Sequence, residues 1–398
     1  MPATPRSAVA GHVLRLAGRT AAAALLPWAV TAACLLAQAP PQEREARARA
    51  LVNAGEPAEA VPLYEELLRA EPDNSALAVN LLVARFKANQ YEEVIALARR
   101  LVGKQPELTA AWLFLGASEL RLGRPAKAVA PLERVLAAQP GERNARLMLA
   151  ESLLRLERFA EAAENFSRAA EALPGNPRVW YGLERSYHAM AKSEPGYERK
   201  ADEAYARLAA LPESSLLHEV NARRLDARLR HREAAEAWKK ALALDPRNNA
   251  LKHGLAASLF QARDLEASLA LTREIAAAGA PSAAVQLLCG RILLDMQKPE
   301  EATPCLERAM AQDPDLPGAG ATLGEAYVRT GRYRDAIPHL VAAAAGDADG
   351  SIHFQLGRAY QGAGEPQRAR EAFVRSQQLR RKAEEERRQR SGVAVSEP

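Results

Sequence analysis

Hydrophobic and polar positions recur along this chain with a single long period. Alanine followed four residues later by a large apolar residue keeps one helical face apolar at Ala60 and Tyr64, Ala128 and Leu132, Ala162 and Phe166, Ala234 and Trp238, and Ala302 and Leu306. A proline stands twelve residues after each alanine, at Pro72, Pro140, Pro174, Pro246 and Pro314. Proline lacks an amide donor and pushes its predecessor out of α geometry, so each one marks a helix end and the turn into the next helix. Pro72, Pro106, Pro140 and Pro174 are spaced by 34 residues; the phase then slips by four, and Pro212, Pro246 and Pro314 resume it. Asp73, Asn74, Asn248 and Asn249 follow two of these prolines and suit helix N-caps.

The other half of each period carries a second pattern: Trp112, Leu115 and Gly116; Leu323, Gly324 and Tyr327; Leu356, Gly357 and Tyr360. The small residue belongs where two helices approach most closely, with large neighbours filling the space beside it. Gly55, Gly123, Gly331 and Gly364 fall seven residues after the small position, where a left-handed residue would end the helix. Taken together, these residues resemble the tetratricopeptide repeat, a 34-residue helix-turn-helix with W-x2-L-G-x2-Y, then A-x3-F, then P. The resemblance covers ten units from about Glu43 to Arg381 and implies an all-α, right-handed α-solenoid superhelix with a C-terminal capping helix. The first unit lacks the tryptophan and leucine of its first helix, and the seventh has Ser268 and Thr272 in place of alanine and a large apolar residue.

The fifth unit departs most. Trp180, Leu183 and Tyr187 keep the first-helix pattern, but Ser193-Glu194-Pro195-Gly196 lengthens the turn and displaces the second helix by four residues. It reads as a tolerated loop insertion, or as a bend or contact site. Residues Ser376 to Arg390 form a polar helical continuation that would cover the last apolar face. The expected organisation is a leader over 1–39, a solenoid over 40–381, and a charged cap end with a disordered tail over 382–398.

Composition agrees with the all-α reading: 48% of residues are apolar, only 5% are aromatic, and alanine is abundant. The net charge of +5 invites a nucleic-acid partner, yet Arg6, Arg15 and Arg19 lie in the leader. Without them 51 basic side chains face 49 acidic ones, a balance of +2 that argues against a phosphate-backbone ligand. That leader runs from a basic stretch into the apolar segment Ala21 to Ala37, which reads as an export signal. Ala37-Gln38-Ala39 has the spacing a signal peptidase cuts, although Pro40 obstructs it. Thr31-Ala32-Ala33-Cys34 resembles a lipobox, and an uncleaved anchor is the third reading. Localisation in the periplasm or cell envelope is expected, with membrane contact only through the leader or a lipid on Cys34.

No catalytic, cofactor or metal motif is legible. The seven histidines are scattered, and no HExxH, GxSxG, GxxxxGK[ST] or GxGxxG occurs, so an enzyme is not expected. Cys289 and Cys305 fall on the two helices of the eighth unit, as small core residues or as a pair able to close as a disulfide. The resemblance implies a concave groove exposing four positions of each first helix. These are Ala110, Leu113, Ala117 and Leu120; Asn144, Leu147, Glu151 and Leu154; Arg178, Tyr181, Arg185 and His188; Leu216, Glu219, Arg223 and Asp226; and Ala250, His253, Ala257 and Phe260. Such a groove would be apolar toward its N-terminal side and polar, with arginine and tyrosine, in the middle. The lysine and asparagine clamp with which some members hold a chaperone carboxyl terminus is missing, since Glu45 and Arg49 stand in its place. The function expected is a scaffold for a protein or peptide ligand in a bacterial envelope. The alternatives are a non-catalytic subunit presenting carbohydrate or peptide to an envelope enzyme, and a tethered spacer.

Overall fold

The computed structural model describes residues 40–279 and 281–393, with side chains to residue 389. The leader, Cys34 and the last five residues lie outside the described residues. Among those described there are twenty α-helices, one short 3-10 turn (Ala344–Gly346) and no strand.

The helices form ten hairpins at the predicted period. They are α1 (Pro41–Ala54) with α2 (Pro57–Ala70), α3 (Ser75–Lys87) with α4 (Tyr91–Lys104), α5 (Thr109–Arg121) with α6 (Pro125–Ala138), α7 (Arg143–Arg155) with α8 (Phe159–Ala172), and α9 (Pro177–Ala191) with α10 (Tyr197–Ala209). Then follow α11 (Ser215–Ala227) with α12 (His231–Leu244), α13 (Asn249–Gln261) with α14 (Leu265–Ala277), α15 (Ala283–Asp295) with α16 (Pro299–Gln312), α17 (Ala319–Arg329) with α18 (Tyr333–Ala343), and α19 (Ser351–Gly362) with α20 (Pro366–Val393). The chain divides into two compact blocks, one ending at Ala204 and one beginning at Tyr205. Consecutive helices pack together from α1 to α9 and from α11 to α20, and first helices of successive hairpins also touch, α3 with α5 with α7 with α9, and α13 with α15 with α17 with α19.

The predicted seams are where the core sits. Ala60, Ala128, Ala162, Ala234 and Ala302 are fully buried, and Tyr64, Leu132, Phe166, Trp238 and Leu306 are nearly so. The glycines show how the large residue is housed. In three hairpins with leucine at that position, the glycine lies sixteen residues earlier in the same hairpin: a Cβ on Gly116, Gly290 or Gly324 would strike Leu132, Leu306 or Leu340. Phe166 and Trp238 instead reach into the next hairpin and meet Gly182 and Gly254, where a Cβ would stand 2.1 Å and 2.6 Å from the ring. Phe373, in the last hairpin, meets Gly357 sixteen residues earlier in its own hairpin, so ring size alone does not decide which hairpin supplies the gap. In the seventh hairpin, Ser268 and Thr272 are buried and donate to the carbonyls of Ala256 (2.7 Å) and Leu269 (2.8 Å), which satisfies both hydroxyls.

Helix ends follow the turn chemistry. Gly55, Gly123, Gly331 and Gly364 adopt positive φ, and Asn89, Glu157, Leu229, Arg263 and Gln297 do so at the same phase in the remaining regular hairpins. In each the following residue donates its N–H to the carbonyl five residues back, as Gln90 does to Arg85 (2.9 Å) and Arg124 to Glu119 (2.8 Å). Asn74 and Asn248 cap α3 and α13 as expected. Asp73 pairs with Lys104 (3.3 Å), and Asn249 is already helical. The phase-marking prolines gain a partner too: Trp112 and Trp180 donate Nε1 to the carbonyls of Pro106 (2.8 Å) and Pro174 (2.7 Å), and Arg146 serves Pro140 (2.6 Å).

Two predicted irregularities take definite form. The fifth hairpin lacks the left-handed turn, and its longer connection brings Tyr197 to stack on Tyr187 at 5.9 Å with Lys200 over both rings. The cap is one uninterrupted α20, packed as far as Ser376, which is buried and donates to the Gly350 carbonyl at 2.7 Å. No helix among the described residues is long and apolar enough to cross a membrane.

Candidate protein-binding groove

The first helices share one face in each block, and the sequence-predicted groove residues divide sharply on it. In the first block Leu120 and Leu147 are buried, because neighbouring hairpins close over them, while Leu113 and Leu154 are half-buried beside the core. The apolar N-terminal stretch of the expected groove is therefore largely packing surface. Arg178 is exposed but joined to Glu151 across successive hairpins at 2.5 Å. Burial raises the Glu151 pKa despite the opposing charges of Arg178, Arg155 and Arg121. Arg185 donates to the Tyr181 hydroxyl (2.9 Å) and lies over its ring, and His188 is exposed on the last turn of the same helix. The polar residues of this face are thus largely engaged with one another.

In the second block Glu219 is buried and receives Arg223 at 2.9 Å, and the same guanidinium covers the Trp238 ring. Asp226 accepts from Ser258 Oγ (2.6 Å), His231 Nδ1 (3.0 Å) and Trp238 Nε1 (3.3 Å), which makes it a junction within the fold. Burial, with the Arg223 charge, lowers the His253 pKa. Phe260 is mostly buried but presents one side to an open groove of about 480 Å³.

That groove is built by α13, α15, α17 and α19. Phe260, Leu287, Leu294, Ala321 and Ile352 supply its apolar lining; Arg291, Asp295, Thr322 and Glu325 supply its polar groups. The carboxylates are partnered, Asp295 by Arg263 (2.6 Å) and Glu325 by Arg329 (2.6 Å). Arg291 is exposed and lies over the Phe260 ring at 5.3 Å, with no carboxylate partner among the described residues. A second cavity, of about 670 Å³, lies in the first block between α2, α3 and α4, lined by Leu68, Leu81, Leu101, Arg69, Arg85 and Arg100 among others. Among the described residues no cluster of three or more His, Cys, Asp or Glu is arranged to hold a metal ion.

Family profiles of the tetratricopeptide repeat match residues 51–117, 113–177 and 293–351, stretches that the hairpins already divide at this period. The chain is a multi-repeat tetratricopeptide protein. Among solved structures it is similar to a chain of the APC/C hetero-tetramer Cut9–Hcn1, with 17% identity and a TM-score of 0.49 over 68% of this chain. It spans about half of that relative, 52% of its length. A tetratricopeptide repeat protein from Parabacteroides merdae aligns at 16% identity and a TM-score of 0.39, over 71% of this chain and 97% of that one. MamA MSR-1 aligns at 25% identity and 0.36, over 42% and 97%. No curated protein matches the chain by sequence.

The tetratricopeptide register explains which groove residues the sequence reading passed over. Leu287, Arg291 and Leu294 stand 34 residues after His253, Ala257 and Phe260, and Ala321 and Glu325 stand 34 further on. The same positions carried into the eighth and ninth tetratricopeptide units reach the open groove, whereas the sequence-based assignment stopped at the seventh. Which units keep the face open follows from side-chain pairing and packing, information that the repeat pattern does not contain.

Proposed function

We propose that this tetratricopeptide protein is a scaffold of the bacterial envelope that holds a peptide or protein segment in the groove of α13, α15, α17 and α19. One observation carries the reading: an apolar trough open along successive first helices, with Arg291 over Phe260 and without a carboxylate partner among the described residues. An extended or helical segment laid there would bury apolar side chains against Leu287, Leu294 and Ile352 and offer a carboxylate or carbonyl to Arg291. Arginine held on an aromatic ring loses little freedom on engaging a ligand, and that favours it as an anchor. The envelope assignment rests on the basic-then-apolar leader ahead of residue 40. With Phe260 as the one aromatic ring in the trough lining, a stacking platform for sugars has less support.

The test is affinity capture from an envelope fraction with the wild type, Arg291→Glu and Arg178→Glu, helicity being checked by circular dichroism. A partner retained by the wild type and Arg178→Glu but lost by Arg291→Glu supports the groove. A partner retained by all three moves the site elsewhere, and capture of nothing by any form favours a spacer. Cell fractionation with a C-terminal epitope tests the envelope assignment, which a wholly cytoplasmic protein would overturn.

A further inference from the structure

Cys289 and Cys305 are the two cysteines among the described residues, and both are free thiols. They occupy facing helices of one hairpin, α15 and α16, each immediately before the pair that marks closest approach. A Cβ on Gly290 would stand 2.4 Å from the Leu306 side chain. At that level the two thiols interact within one packed cluster, and the Cys305 sulfur accepts from Arg308 Nη2 at 3.7 Å. Arg273 adds a second positive charge to the cluster while bound to Glu301 at 3.2 Å.

The two sulfurs are therefore unlike. Interaction with Cys289, with help from Arg308 and Arg273, lowers the pKa of the buried Cys305 to about 6, whereas the half-buried Cys289 is raised by the same interaction and by burial. A thiolate at neutral pH is a nucleophile, and its neighbour here keeps its proton until needed.

We propose that Cys289 and Cys305 form a reactive dithiol that hydrogen peroxide oxidises to an intramolecular disulfide, with Cys305 the attacking sulfur and Cys289 the resolving one. Cys305 attacks one peroxide oxygen and the O–O bond breaks. The departing hydroxide takes a proton and leaves as water, and Cys305 becomes a sulfenic acid. Cys289 then attacks the Cys305 sulfur; the S–S bond forms, the S–O bond breaks, and the second hydroxide takes the Cys289 proton. Two thiols and one peroxide thus give one disulfide and two waters, two electrons having passed from sulfur to oxygen. The bond would fasten α15, which carries Leu287 and Arg291, to α16. This chemistry does not depend on what the groove binds.

The test uses the reduced full-length chain, exposed to stoichiometric hydrogen peroxide at neutral pH, alkylated and peptide-mapped without reductant. A peptide joining residue 289 to residue 305, formed as both thiols disappear together, is expected. Cys305→Ser should slow peroxide-dependent loss of the Cys289 thiol by about tenfold or more. Cys289→Ser should leave a sulfenic acid at 305 that dimedone traps. Alkylation of Cys305 in the wild type should rise as pH passes through about 6. No joined peptide in folded wild type, or a Cys289 rate unchanged in Cys305→Ser, overturns the proposal. Circular dichroism accompanies each variant, and if either serine variant fails to fold the wild-type map alone decides.

Discussion

The first helices present the same repeat positions in both blocks, yet the two faces differ. In the block ending at Ala204, Leu120 and Leu147 are buried, Arg178 is held by Glu151, and Arg185 by Tyr181. In the block beginning at Tyr205, Leu287, Leu294, Ala321 and Ile352 line a trough, and Arg291 lies over the Phe260 ring with no carboxylate partner among the described residues. A repeat position specifies a direction in space; whether that direction is occupied depends on side-chain length and on the partner offered by the next hairpin. Small residues such as Ala321 and Gly318 keep the second face open, and cross-hairpin pairs occupy the first.

The contrast can be broken most severely by filling the trough. Ala321→Trp should lower affinity for a groove-bound segment by about 100-fold, near 2.7 kcal/mol, with the melting temperature almost unchanged. Arg178→Ala, on the paired face, should change affinity by less than about twofold. Titration calorimetry with the captured segment measures both.

A smaller effect separates the packing beneath the two kinds of hairpin. Gly182→Ala drives a methyl into the buried Phe166 ring and should cost about 2 kcal/mol in urea unfolding, overpacking being offset only in part by helix propensity. Phe166→Leu in the same chain should recover part of that loss, since a shorter side chain no longer needs the gap. Leu229→Gly works in the opposite sense. It removes an exposed leucine from positive φ and should stabilise the protein by about 1 kcal/mol in the same assay.

The smallest expected effect is a pH dependence confined to the second block. His253 has a folded-state pKa below its unfolded value, because it is buried and faces the Arg223 charge. Its neutral form is favoured on folding, so this contribution is complete above the unfolded pKa of about 6.5 and declines as pH falls through the folded one. His253→Gln should flatten the decline in melting temperature between neutral and mildly acidic pH, while substitution of exposed His188 should not.

Much of the fold was legible. Prolines at the period, alanines at the seam and glycines at the left-handed turns each report a local steric demand that few residues meet, so ten hairpins were countable from Pro72, Ala60, Gly55 and their equivalents. The left-handed residues Asn89, Glu157, Leu229, Arg263 and Gln297 were less visible, because hydrogen bonding back to the helix end holds them there without the composition signal of glycine. The groove was legible in direction only. The repeat register points equally to Leu147 and to Leu287, and one is buried while the other lines open space.

The amino-acid order alone determined that this chain is all-helical, where its helices turn, and which faces meet, because periodicity and backbone sterics act over a few residues. Tertiary structure decided which of the equivalent faces stays open, which arginines are bound by carboxylates, and that Cys289 meets Cys305 beside Arg308. Those outcomes depend on distances between side chains 16 to 35 residues apart, set only when neighbouring hairpins pack.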